Sequence, residues 1–212
     1  MRQEGAGVAV RTAQKAPGAS DTRQRVIEIA MRLFTERSFA GTSLQMIADE
    51  LGITKAAVYH HFRTREELLT AVVEPVLREL RVVIETAETK RTPHARAEHM
   101  LSGYAAIAVG HRAVVAVLAS DPGAIEMLRT HGAAGELINR QLGLLADVTP
   151  GPSGLVNAAM VLAGIAGAAN PKLDGIDDDA LRQQLVEAGR RALGLRAPRR
   201  RTDSAAPEQP TP

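Results

Sequence analysis

The stretch TSLQMIADELGITKAAVYHHFRTREE, residues 42–67, holds two short helical patterns on either side of one glycine. Leu44, Ile47, Ala48 and Leu51 recur at i, i+3, i+4 and i+7, so they form a single apolar stripe. Thr42 or Ser43 is placed to cap this helix through its side-chain oxygen, with Gln45 completing a capping box on Thr42. Gly52 follows where a helix end often needs a left-handed residue, and Ile53 buries the turn. Thr54 is the natural N-cap of the next helix, which points Val58 and Phe62 inward. Lys55, Ala56, Ala57, Tyr59 and His60 are left on its other faces. Thr64 and Glu67 form a second capping box, which opens a further helix with Arg65 in its first turn.

Upstream, Val26, Ile29, Ala30, Leu33 and Phe34 make another stripe, broken by Ser38, Phe39, Ala40 and Gly41. Three helices within residues 21–65 enclose a core too small to be secure alone, so it leans on the rest of the chain. The last of the three is basic and polar on its free faces. Alanines at 56 and 57 let such a helix approach base edges and thymine methyls closely. This is how a helix-turn-helix presents itself to a DNA major groove.

The segment RLFTERSFAGTSLQMIADELGITKAAVYHHFRTREELL, within a match running from about Thr22 to Leu80, resembles the tetracycline-repressor (TetR) family of transcriptional regulators in order, spacing and its YHHF ending. The resemblance implies an all-helical homodimer with a divergent C-terminal domain that usually binds a small effector. By position it implies DNA contacts at Ser43 and Gln45, then Thr54, Lys55, Ala56, Ala57, Tyr59 and His60, and finally Arg65. Tyr59, His60 and Arg65 would mainly grip phosphate; Gln45, Lys55 and Ala56 would read bases. The implied target is an inverted-repeat operator in double-stranded DNA.

Charge distribution agrees with that division. Residues 1–65 carry ten Lys/Arg against six Asp/Glu, residues 66–195 carry twelve against sixteen, and residues 196–212 carry four against two. A basic head on an acidic body suits a DNA reader joined to a part that avoids DNA. There is no cysteine, which excludes disulfides, thiolate metal sites and cysteine nucleophiles. The longest apolar run, 155–169, is too short for a bilayer span and contains Asn157; with no signal peptide, a soluble cytoplasmic protein is expected, with no membrane partner.

The whole chain reads as all-α, with about nine helices. Residues 1–20 are expected to be a disordered arm, 21–65 the helix-turn-helix domain, 66–195 a ligand-binding and dimerisation domain, and 196–212 a disordered basic, proline-rich tail. The fourth helix contains Pro75, which predicts a kink. A seventh helix is expected over 124–146, loosened near Gly132 and Gly135. The eighth, from Gly154 to Ala169, is built almost wholly from small residues, and the ninth, from Asp178 to Leu193, is charged to suit its dipole. Together these two resemble the family's dimer interface, and the cost of glycine in a helix suggests tight packing there.

Effector candidates lie on the helices that surround the family's ligand: Met100, Tyr104, Ile107 and His111, then Met127 and His131, and Met160. Tyr104 and His131 are the better polar candidates. An enzyme is disfavoured. His94 and His99 are five apart and do not share a helix face, and no metal triad, nucleophile elbow or phosphate loop is present, so neither catalytic residues, nor a metal, nor a cofactor is expected. The expected function is a DNA-binding repressor released by a small molecule. The alternative is a regulator without an effector, controlled by a protein partner or by expression level.

Overall fold

The computed structural model describes residues 19–130, 132–170 and 175–195. The expectations for the N-terminal arm, the C-terminal tail and His131 therefore lie outside the described residues. Among these there are ten helices and no strand: α1 (Ala19–Arg37), α2 (Leu44–Leu51), α3 (Lys55–His61), α4 (Arg65–Glu88), α5 (Pro93–Gly110), α6 (Arg112–Ser120), α7 (Pro122–Thr130), α8 (Gly132–Ala146), α9 (Pro152–Ala168) and α10 (Asp178–Leu193). The chain is all-α, as expected, with one more helix than anticipated. The extra helix comes from a split in the predicted seventh. Gly132 adopts φ +49°, which an α-helix interior cannot hold, and a Cβ on Gly135 would lie 2.2 Å from the Arg129 carbonyl oxygen.

Apolar side chains gather into two clusters. One joins Val26, Leu33, Phe34, Ile47, Val58 and Phe62 of the first three helices to Leu68, Leu69 and Val73 of α4 and to Val117, Met127 and Leu128 of α6 and α7. The other joins Val76, Leu80 and Ile84 of α4 to α5, α8, α9 and α10. The small N-terminal core thus borrows apolar surface from later helices, as its size requires. Helix α4 runs through both clusters and continues across Pro75, which is exposed and stands between Val73 of one cluster and Val76 of the other. Helices α5 and α6 meet at 100° at His111, whose Nε2 lies 2.9 Å from Glu79 Oε1 on α4. No single helix among the described residues is long and apolar enough to cross a membrane.

Close glycine packing within the chain occurs on several helices, including the start of α9, where a Cβ on Gly154 would lie 2.1 Å from the Thr149 carbonyl oxygen. A Cβ on Gly103 of α5 would lie 2.4 Å from a Val83 methyl, and one on Gly189 of α10 would lie 2.5 Å from Leu101. Further along α9, by contrast, Gly164 and Gly167 face open space within one chain.

Candidate nucleic-acid interface and interior cavity

Ser43, extended at φ −120°, caps α2: its Oγ accepts from Met46 N at 3.2 Å. The predicted capping box on Thr42 does not form. Thr42 is buried and donates its hydroxyl to the Ser38 carbonyl, while Gln45 turns to donate to Asp49 Oδ1 at 2.7 Å. Gly52 closes α2 with φ +66°, and Ile53 N then donates back to the Ala48 carbonyl at 3.0 Å. Thr54 caps α3 by accepting from Ala57 N, and Thr64 caps α4 by accepting from Glu67 N. The Glu67 carboxylate returns to Arg63 N at 2.7 Å, one residue earlier than a capping box requires.

These caps fix which face of α3 is free. Val58 and Phe62 are buried, whereas Gln45, Thr54, Lys55, Ala56, Tyr59 and His60 are exposed; Ser43, Ala57 and Arg65 are half-buried. Lys55 Nζ stands 5.3 Å from the Tyr59 ring centre, and the His60 and His61 rings meet edge to face at 5.2 Å. Ser43 and Thr54 use their oxygens as acceptors in capping, so both hydroxyl protons remain to donate outward. The surface is cationic, polar and small at its centre, which suits the edge of a duplex groove.

Arg65 has a second set of partners that its sequence position did not reveal. Its Nη1 donates to the carbonyls of Phe39, Ala40 and Thr42 at 3.0–3.3 Å, and its guanidinium lies 5.1 Å from the Phe39 ring centre. Phe39 N in turn donates to Asp121 Oδ2 at 2.6 Å. Asp121 is 7 % exposed and also accepts from Gly123 N and Ala124 N through Oδ1, capping α7. One buried carboxylate therefore ties the junction of α6 and α7 to the loop that leads into α2. The Asp-Pro-Gly sequence signals a helix start, but nothing local signals a partner 82 positions away.

An apolar cavity of about 330 Å³ lies among α4–α9, walled by Val76, Leu80, Leu118, Leu128 and Leu162, with Tyr104 and Gln141 as its inner polar groups. Burial pushes the Tyr104 phenol up to about 12, although the residue lines the cavity. A larger groove of about 570 Å³ runs between α1 and α4, lined by Arg23, His61, Glu67, Glu74 and Arg78. That groove is more open and mixed in charge, so the less open, apolar cavity is the better ligand site.

The cavity revises the effector candidates. Tyr104 lines it. Met100 and Ile107 instead fill the core of the second cluster, and Met127 fills that of the first. His111 is turned to Glu79 at the α5–α6 bend. Met160 is 66 % exposed, whereas Ala159, Leu162, Ala163 and Ala166 are the residues that α9 gives to the cavity. Sequence reasoning missed Gln141 and Asp121, since a polar residue on a helix ordinarily reads as surface.

Comparison with known proteins agrees with this geometry. The family of bacterial regulatory proteins designated tetR matches residues 26–72. The transcriptional repressor KstR2 of Rhodococcus jostii is 30% identical over 107 residues, covering 48% of this chain and 51% of the repressor. Among solved structures, AmtR of Mycobacterium smegmatis superposes with TM-score 0.62 at 21% identity, over 89% of this chain and 91% of that one. AibR, solved with isovaleryl coenzyme A and operator DNA, superposes with TM-score 0.55 at 20% identity, over 78% and 96%. Residues 26–72 thus resemble the TetR family in sequence, and the likeness to the solved structures extends to the fold. The family and these relatives are regulators of transcription, not enzymes. The chain spans about a fifth to about half of the length of the curated relatives it matches.

Proposed function

We propose that this protein is a homodimeric, sequence-specific repressor that reads an inverted-repeat operator with α3 and leaves it when a small molecule fills the interior cavity. The observation that carries the reading is the free face of α3, where Lys55, Ala56, Tyr59 and His60 stand exposed above buried Val58 and Phe62. Gln45, Lys55 and Ala56 are the base-reading residues; Ser43, Thr54, Ala57, Tyr59 and His60 fit the backbone and groove walls. Arg65 reaches phosphate only with the nitrogens not already given to the α1–α2 loop.

A partner subunit is supported by α9, where Leu155, Val156 and Met160 are each more than half exposed and a Cβ on Gly164 or Gly167 would meet open space. Release requires a ligand that prefers the DNA-incompetent form. Helices α6 and α7, which wall the cavity, flank Asp121 and its bond to Phe39 N, so occupancy has a direct route to the reading head. The cavity itself favours this over a regulator without an effector, for which a filled domain is expected.

Selection of sites from random duplex DNA tests the reading, followed by titration of the winner at several salt concentrations. One inverted repeat, two subunits or a multiple bound, and a steep salt slope are expected. Weak binding without sequence preference would overturn it.

A further inference from the structure

We infer that the cavity takes a small, mostly apolar molecule bearing one uncharged carbonyl, and that Gln141 holds that carbonyl. The inference rests on the cavity being the effector site. Gln141 of α8 is 5 % exposed and lines the cavity, yet its Nε2 is buried with no hydrogen-bond partner. An amide left in this state is costly, and rotation of its terminal group would let the N–H meet an acceptor placed in the cavity that the residue lines. The Tyr104 phenol is a second neutral donor among the lining residues. A ligand oxygen would satisfy the Gln141 amide.

The rest of the lining narrows the class. Among the described residues no carboxylate lines the cavity, and Tyr104 is its single aromatic ring, so a cation has neither a counter-charge nor a cage. Arg129 and Asn139 also line it, but both are exposed and belong to its rim. A carboxylate would be drawn to that rim instead of the interior. The volume equals that of about eleven waters at about 30 Å³ each, which sets the ligand at on the order of ten to fifteen non-hydrogen atoms.

The test is calorimetric titration of the full chain with 2-nonanone, nonylamine and nonanoate, which share a body of equal length. Saturable binding of 2-nonanone is expected, at one per chain, with nonylamine at least tenfold weaker. Gln141→Leu, which removes the orphaned amide, should keep the fold by circular dichroism and weaken 2-nonanone about tenfold, the worth of one neutral hydrogen bond. Tyr104→Phe supplies a second variant, with a smaller expected loss, should Gln141→Leu fail to fold. Equal or tighter binding of nonylamine overturns the proposal. So does nonanoate binding that falls with Arg129→Ala but not with Gln141→Leu, or no saturable ketone binding at all. Ketone binding that depends on Gln141 but leaves operator affinity unchanged would keep the ligand class and refute the effector reading.

Discussion

At the scale of single residues, Arg65 and Tyr104 show how position and environment assign different tasks. A basic residue in the first turn of α4 opposes the helix dipole, so its retention needs a compensating interaction. The three carbonyls of the α1–α2 loop and the Phe39 ring provide it. Arg65→Ala should therefore lower stability by about 1–2 kcal/mol in the absence of DNA, read from the midpoint of urea unfolding. Arg65→Lys should not restore it, because an ammonium lacks the planar fork and stacks poorly on the ring. Tyr104 makes an alkaline prediction. Its folded-state pKa, about 12, lies above the ordinary phenol value of 10.0, so its contribution to stability is whole below pH 10 and is lost as pH rises towards 12. Absorbance titration of a Tyr59→Phe variant isolates this ionisation; an ordinary transition near pH 10 in the folded chain would contradict it.

At the scale of elements, the helices differ in what their glycines do. Gly103 lets α5 approach Val83 of α4, a β-branched side chain with little freedom to move. Gly103→Ala should cost about 1–3 kcal/mol through overpacking, outweighing the roughly 1 kcal/mol that alanine returns to a helix. Gly143 of α8 has nothing within 4 Å of a built Cβ, so Gly143→Ala should stabilise by up to about 1 kcal/mol. Thermal unfolding of the pair separates close packing from helix propensity. The helix pattern itself was legible because caps and stripes are local: Thr54 before Lys55 and Thr92 before Pro93 start helices in the structure as their sequence implies. The separation of α7 from α8 was less legible, since Gly132 and Gly135 signal weakness in a helix without saying whether it loosens or ends.

At the scale of the whole molecule, α3 and α9 present exposed faces and one buried carboxylate joins distant parts. Val156→Glu or Met160→Glu, on the exposed apolar face of α9, should convert a dimer to a monomer in sedimentation analysis and abolish binding to a two-half-site operator. A variant that still sediments as a dimer would place the interface elsewhere. Asp121→Asn keeps the size of the side chain but weakens a charge-assisted bond to Phe39 N. It should change operator affinity and its response to ligand without touching either site, while Lys55→Ala should change affinity alone. Equal behaviour of the two variants would remove Asp121 from the coupling.

The sequence by itself determined the helical class, the order of the helices and the exposed face of α3. Those depend on periodicity and capping within a few residues, and the two phases of a helical stripe state directly which face is inward. Tertiary structure decided which residues line the cavity and which distant parts are hydrogen-bonded. Met100, Ile107 and Met127 carry the composition of a ligand pocket, yet packing makes them solid core, while Gln141 carries that of surface and is buried at the cavity. Whether an apolar residue meets a neighbour or a void depends on how helices distant in sequence are set against each other, and no local pattern encodes that distance. The bond from Asp121 to Phe39 spans 82 residues and exists only because α6 and α7 pack against the first three helices.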